Sequence, residues 1–284
     1  MEIIWNVEPM EACVLVLGMF DGVHRGHQEL LMQGAEQAGE RKIPLVVWTF
    51  EPHPLEVLCP EKAPRRLTTL QERAEYMAGY GVDRLCVTRF DREVAATQPQ
   101  TFLENMQHMF HPASLICGFN YSFGQGGRGK PEDLSAYGRE HGIGVTVVPP
   151  VEIAGDTVSS TRIRLLLEEG QLRLASRLLG HAYGFAGRPE DGGQYLRFAW
   201  PKEKVLPAAG AYAGYIREKG KRSRPCLIRL EEQREGEADV SVLEDGYDLQ
   251  GREAGITFMD ILRKGGGADQ EDIKLAQAWF RAHR

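Results

Sequence analysis

The 284-residue sequence contains no apolar stretch approaching the roughly 20 residues that a membrane-spanning helix requires, so no such span is expected. Its five cysteines, Cys13, Cys59, Cys86, Cys117 and Cys226, are scattered and form no Cys-x-x-Cys pair, which argues against a zinc or dithiol site. Three of them lie in apolar runs and are expected to be buried, reduced thiols. Residues 1–7 carry an acid and lack an apolar core followed by small residues, so no signal peptide is expected and a cytoplasmic location is the natural reading. There is no excess of basic residues either. The net charge of −6 argues against a general nucleic-acid binder, while leaving room for a local basic patch that holds a phosphate-rich small molecule. Internal repeats and low-complexity segments are absent. What remains, 42% hydrophobic and 26% charged residues, fits a globular protein with a sizeable core, and the length suggests about two domains.

The most informative stretch runs from Gly18 to Leu31, Gly-Met-Phe-Asp-Gly-Val-His-Arg-Gly-His-Gln-Glu-Leu-Leu. It follows an apolar run at 14–17 and leads into Leu30, Leu31, Ala35 and Ala38 at roughly helical spacing, so it reads as a strand-to-helix turn. Glycines allow a tight turn and close backbone approach to a ligand. The helix start offers unpaired N–H groups and a positive dipole end to an anion. His24 and His27, three residues apart, are placed so that both rings can face one bound phosphate. Imidazoles donate hydrogen bonds to phosphoryl oxygens, and a pKa of about 6.5 leaves both charge states accessible.

Residues 1–180 alternate short apolar strands, at 13–17, 45–50, 84–88, 114–117 and 145–148, with amphipathic helices. Thr69-x-x-Glu72 and Thr97-x-x-Gln100 have the capping-box spacing. This rhythm predicts an α/β fold, a Rossmann-like doubly wound parallel sheet with helices on both faces. Ligands in such sheets bind at the carboxyl ends of strands near a topological switch point, where the His24/His27 turn would lie. From 182 onward the pattern changes to short alternating apolar runs at 194–200, 210–216, 225–230, 238–243 and 254–259, as expected of a small antiparallel β-barrel domain. Gly265-Gly266-Gly267 then precedes a helix at 270–283, with Ile273, Ala276 and Phe280 as the face expected to pack on the barrel. The domains are expected at 1–181 and 182–284.

Three further segments carry chemistry. Thr49-Phe50-Glu51-Pro52-His53-Pro54 closes the second strand with a rigid exit. The loop Gly118-Phe119-Asn120-Tyr121-Ser122-Phe123-Gly124, continuing to Arg128 and Lys130, contains both a Gly-x-Gly-x-x-Gly pattern and most of a phosphate-loop pattern. Neither follows its strand directly, and Pro131 stands where a magnesium-binding hydroxyl is needed, so both are rejected. Ser159-Ser160-Thr161-Arg162-Ile163-Arg164 begins a helix and concentrates hydroxyls and a guanidinium at its positive end.

The histidine pair after Gly-x-Phe-Asp-Gly-Val resembles the signature of the HIGH-type nucleotidyltransferases, and within them the bacterial FAD synthetase family. The Thr-Phe-x-Pro-His-Pro segment, the Asn-aromatic-x-Phe-Gly loop, Ser-Ser-Thr-x-Ile-Arg, Leu67-Thr68-Thr69-Leu70, Gly81-Val82-Asp83 and Leu178-Leu179-Gly180 extend the resemblance over residues 11–185. It implies transfer of AMP from ATP to FMN, giving FAD and pyrophosphate, with Mg²⁺ bound mainly through substrate phosphates and no metal ligand from the protein. By matching positions, His24, His27 and Arg164 would be catalytic. Gly18, Phe20, Asp21, Gly22, His24, His27, Ser159, Ser160, Thr161 and Arg164 would bind ATP. His53, Asn120, Phe123 and Arg128 would border the flavin nucleotide.

In bifunctional members of the family the second domain is a riboflavin kinase with a Gly-Phe-Pro-Thr-Ala-Asn segment. Here the corresponding stretch, 193–201, reads Gly-Gln-Tyr-Leu-Arg-Phe-Ala-Trp-Pro, and no Thr-x-Asn occurs from 182 to 284. The family's kinase base, a glutamate, aligns with Asp239. The resemblance therefore implies a barrel that has lost kinase activity. The partners implied are ATP and FMN, with no nucleic acid or membrane. The rival readings are another HIGH-type adenylyl- or cytidylyltransferase and a non-catalytic flavin-nucleotide sensor.

Overall fold

A computed structural model describes residues 1–284 except 6, 235, 245–248, 250, 266–270 and 284. Its contacts divide the chain into two compact units, Met1–Pro64 with Thr68–Val158, and Arg65–Leu67 with Ser159–Arg284.

The first unit is built on six parallel strands, β1 (Glu2–Ile4), β2 (Cys13–Leu17), β3 (Leu45–Glu51), β4 (Arg84–Arg89), β5 (Pro112–Gly118) and β6 (Gly144–Val148), ordered β1-β4-β3-β2-β5-β6. This is the expected doubly wound parallel sheet. Alternate side chains of β2 serve two cores, which is why its sequence is apolar throughout rather than alternating. Cys13, Leu15 and Leu17 pack with Trp48, Phe102, Phe110 and Leu134, whereas Val14 and Val16 pack with Leu31, Val47, Met77 and Leu85. The chain moves from β2 through β3 to β4 on one side and from β5 to β6 on the other, so the topological switch point lies between β2 and β5.

The helix Arg25–Arg41 follows β2, and it lies close to the sheet because Gly34 has no side chain. A Cβ there would sit 2.8 Å from Leu45 Cδ1 and 2.9 Å from Val16 Cγ2. The helix Leu70–Ala78 has the predicted Thr69/Glu72 capping box. The Thr97 cap is not formed. Gln98 occupies the cap position, because Pro99, whose fixed φ and missing N–H suit the first helical position, sets the start of the helix Pro99–Phe110. A two-stranded hairpin, β7 (Glu152–Ile153) and β8 (Asp156–Thr157), closes the unit.

In the second unit, the helices Ser160–Glu168 and Leu172–Leu179 precede seven antiparallel strands, β9 (Gly184–Gly187), β10 (Glu190–Asp191), β11 (Leu196–Ala199), β12 (Gly210–Glu218), β13 (Arg224–Leu230), β14 (Glu237–Val242) and β15 (Ala254–Lys264). Their order, β10-β11-β14-β13-β12-β15-β9, makes a curled half-barrel sheet. Tyr183, Phe185, Trp200, Tyr212 and Phe258 fill its interior with tilted and edge-to-face ring contacts. The two helices are tied to this sheet by Arg173 Nε donating to Asp260 at 2.9 Å and Lys264 Nζ donating to the Glu169 carbonyl at 3.1 Å. Packing thus groups residues 159–181 with the half-barrel, whereas the sequence motifs group them with the first domain.

The last helix, Glu271–Ala282, packs on β12, β13 and β15. Its buried face is Asp272, Ala276 and Phe280, and Ile273 is exposed, one position out of phase with the expected stripe. A fully buried carboxylate anchors that face, since Asp272 accepts from Arg263 at 2.9 Å and pairs with Arg229 at 3.3 Å. Gly266, Gly267 and Gln270, where the separator and helix start were expected, lie outside the described residues. Cys13, Cys86, Cys117 and Cys226 are buried free thiols. Burial pushes Cys13, Cys86 and Cys117 up to about 12, which leaves them protonated and inert at neutral pH.

Candidate active site

The turn after β2 is held in a conformation that few sequences tolerate. Phe20 and Val23 have φ of +55° and +38°, costly for non-glycine residues and most of all for a β-branched valine. Such residues persist only where the surroundings over-determine them. The Phe20 ring folds back beneath Gly18, where a Cβ would sit 3.0 Å from it. Asp21, buried, accepts from the Thr68 N–H at 3.0 Å and the Thr68 hydroxyl at 3.2 Å, while the Gly22 N–H donates to Thr68 Oγ1 at 2.8 Å. The Val23 carbonyl accepts from Gln28 Nε2 at 2.9 Å. Phe20 and Asp21 therefore build the turn from inside, and the backbone of Gly18 to Gly22 carries its outer shape.

His24 is the N-cap of the helix Arg25–Arg41, and its Nδ1 accepts from the His27 N–H at 3.3 Å. An accepting Nδ1 puts the proton of the neutral ring on Nε2, leaving that nitrogen as a donor. The two imidazoles stack with centroids 3.6 Å apart and planes at 12°, and Phe20 lies 5.0 Å from His27 on a tilted approach. Gly26 makes room for this stack, since a Cβ there would sit 3.3 Å from the His24 ring. Burial, then the neighbouring His24, then Arg73 push the His27 pKa well below its ordinary 6.5, so the ring is neutral at neutral pH. Its Nδ1 is buried without a hydrogen-bond partner. No acidic side chain occupies the first turn of this helix, which leaves the positive dipole end undiminished.

The loop after β5, the strand hydrogen-bonded to β2, places Phe119, Asn120, Ser122 and Arg128 in exposed positions beside the switch point. Phe123 differs in being buried. It stacks among Phe102 and Tyr121 at 4.9 and 6.0 Å, and a Cβ on Gly129 would collide with its ring at 2.4 Å. Its place in the structure is that of a core anchor for the loop. His53, at the end of β3, is half-buried and caps the short helix Pro54–Leu58 by accepting from the Leu55 N–H at 3.2 Å.

Ser159, Ser160, Thr161 and Arg164 start the helix Ser160–Glu168 of the second unit. Ser159 is the N-cap and accepts from the Arg162 N–H at 3.2 Å, and Thr161 is exposed. Arg164 Nε donates to the Arg65 carbonyl at 2.6 Å, a contact that orients the guanidinium.

Three polar groups that hold the first turn were not among the residues expected from sequence. Thr68 lies in the Leu-Thr-Thr-Leu motif, which signalled family rather than role. Gln28 and Arg73 carried no spacing signal. Arg73 is buried, donates from one terminal nitrogen to the Met19 carbonyl at 3.0 Å, and pairs through the other with Glu51. Among the described residues no helix is long and apolar enough to cross a membrane.

With this geometry in hand, similarity to known proteins is informative. The FAD synthetase family model matches residues 7–162, more than half of the chain. A bifunctional riboflavin kinase/FMN adenylyltransferase from Escherichia coli K12 is 35% identical over 273 residues, covering 90% of this chain and 86% of that protein. A FAD synthetase from Listeria monocytogenes is 34% identical over 202 residues, covering 71% of this chain and 80% of its own length. A crystal structure of a Streptococcus pneumoniae protein described as a macrolide-efflux protein superposes with a TM-score of 0.86 at 26% identity, covering 100% of this chain and 97% of that one. The histidine turn at the switch point, the Ser-Ser-Thr-x-Ile-Arg helix start and relatives matched over nine-tenths of the chain agree, and the chain belongs to the FAD synthetase family.

Proposed function

We propose that this protein is an FMN adenylyltransferase that transfers AMP from ATP to FMN. A phosphate oxygen of FMN attacks the α-phosphorus of ATP. The new P–O bond forms as the bond to the oxygen bridging α- and β-phosphates breaks, and pyrophosphate leaves with that oxygen. The acceptor supplies its own nucleophile, so the protein's tasks are alignment and stabilisation of developing charge. The observation that carries this reading is the stacked His24/His27 pair, its His27 ring neutral, at the start of the helix after β2, which presents hydrogen-bond donors and a positive helix end at the switch point.

In this reading His24 and His27 donate to triphosphate oxygens, most strongly in the transition state, within a turn shaped by Gly18, Phe20, Asp21 and Gly22. Ser159, Ser160, Thr161 and Arg164 bind ATP phosphates. His53, Asn120 and Arg128 border the flavin nucleotide, and Phe123 holds their loop. Mg²⁺ neutralises charge on the triphosphate. The ion would be carried mainly by substrate phosphate oxygens. Residues 1–181 are the catalytic domain and 182–284 the appended one. Incubation with FMN, ATP and Mg²⁺ should give FAD on chromatography. Nucleotide binding without FAD would favour a sensor instead.

The appended half-barrel has lost riboflavin kinase activity in this proposal. What supports it is the absence of Thr-x-Asn from 182 to 284 and the setting of Asp239, whose two oxygens accept from Arg197 Nε at 3.0 Å and Arg234 at 3.1 Å. A carboxylate committed to two guanidinia is a poor base toward a hydroxyl. Riboflavin and ATP supplied without FMN should yield neither FMN nor FAD. Formation of either at a rate comparable to FMN adenylylation would refute the loss.

A further inference from the structure

We infer that Arg73 is a positioning residue for the ATP turn, its guanidinium fixing the Met19 carbonyl and thereby the backbone that leads to His24 and His27. This rests on the adenylyltransferase reading and deepens it.

Arg73 sits in the middle of the helix Leu70–Ala78, where a solvent-facing arginine would be unremarked, yet it is only 2% exposed. Burying a guanidinium carries a large desolvation cost unless charge and hydrogen bonds are both satisfied. Glu51, at the carboxyl end of β3, balances the charge. The other terminal nitrogen is spent elsewhere, on the Met19 carbonyl at 3.0 Å. The planar fork thus joins the exits of two adjacent parallel strands, β2 and β3, and a lysine point charge cannot span both partners.

Met19 immediately precedes Phe20, whose φ of +55° must be enforced by its neighbours. The same carbonyl also accepts from Thr49 Oγ1 at 3.4 Å, so it is held from β3 and from the helix together. Phe20 in turn lies against His27, 5.0 Å between ring centroids, and His27 stacks on His24. A shift of the Met19 carbonyl is therefore transmitted through one backbone unit and one aromatic contact to both imidazoles. The proximity is also electrostatic, because the Arg73 charge contributes to the lowered proton affinity of His27.

A purely structural arginine, present to neutralise Glu51, would be replaced by lysine at little cost. Arg73→Lys keeps that charge and removes the fork. If the wild-type protein makes FAD, folded Arg73→Lys should lose about 10- to 100-fold in kcat, the scale of a misplacement near 1 Å, while ATP affinity changes by less than about threefold. The imidazole NMR resonances of His24 and His27 should move. Wild-type kcat in folded Arg73→Lys would overturn the assignment. Should that variant not fold, Thr49→Val withdraws the other side-chain donor from the same carbonyl at nearly constant shape. A kcat lowered by about threefold or more with ATP affinity retained supports the anchor, and an unchanged kcat overturns it. If the wild-type protein makes no FAD, the functional reading has failed. The anchor is then judged by the imidazole resonances alone, where shifted signals in Arg73→Lys support it and coincident spectra refute it.

Discussion

Replacing His27 with alanine separates the chemistry of this turn from its stability. The substitution leaves the residue 27 N–H free to keep its bond to His24 Nδ1, so the helix cap survives. Two ring contacts are lost, to His24 at 3.6 Å and to Phe20 at 5.0 Å, each worth about 0.5–1.5 kcal/mol. Against this, a buried Nδ1 without a partner disappears, and such a group costs about 1–3 kcal/mol. The two nearly cancel, so stability should change by no more than about 1 kcal/mol and the melting temperature by about 2–4 °C. Turnover should respond far more. A hydrogen bond from the imidazole to a charged phosphoryl oxygen is worth about 1.5–3 kcal/mol, which corresponds to about 10- to 150-fold in kcat if it is made chiefly in the transition state. The assay is steady-state FAD formation at saturating FMN and ATP, paired with calorimetric ATP binding and a thermal melt. A folded variant with kcat within about twofold of wild type would refute the role of His27.

Three other outcomes follow from the structure. Because the folded His27 pKa lies below its unfolded value of about 6.5, the unfolded chain binds the extra proton first; its contribution to stability is complete above that pH and lost as pH falls below it, so His27→Ala should flatten the decline of melting temperature between about pH 6.5 and 5. Parallel curves for the two proteins would contradict the lowered pKa. Gly34→Ala places a Cβ 2.8 Å from Leu45 and 2.9 Å from Val16, an overpacking cost of about 1–3 kcal/mol set against about 1 kcal/mol of helix propensity, so urea denaturation should show a net loss near 1 kcal/mol, and a gain would refute the close packing. Arg164→Ala should weaken ATP binding by about 10- to 100-fold, the worth of one charge-assisted phosphate contact; unaltered affinity would refute its role in holding ATP.

The parts of this fold legible in the sequence are those whose signal is local. Five consecutive apolar residues marked β2 to the residue, and the other parallel strands differ from expectation by one or two residues at their ends, where pairing with a neighbour decides the last bond. The three-residue edge strand β1, paired only with β4, and the short strands β7, β8, β9 and β10 have no period long enough to read. Thr97 satisfied a capping rule that Pro99 overrode. In the last helix, Ala276 and Phe280 were identified but the stripe was phased on Ile273, because an aspartate was not expected at the buried position that Arg229 and Arg263 neutralise. At the candidate site the histidine pair was legible from spacing, since the cap and the stack are made within four residues. The groups that hold its turn were not. Thr68 and Arg73 reach Asp21 and Met19 from 47 and 54 residues away, and no periodicity in one sequence reports such a contact.

The central claim is that the AMP portion of ATP moves onto the FMN phosphate while pyrophosphate leaves intact. The most direct test follows the label in two parallel reactions of the purified protein with FMN and Mg²⁺, one with ATP labelled at the α-phosphate and one labelled at the γ-phosphate. The expected result is α-label in FAD and γ-label in pyrophosphate, in equal amounts and at equal rates. Label from the γ-phosphate in a flavin product, or α-label that remains in ATP while the protein demonstrably binds both nucleotides, would contradict it.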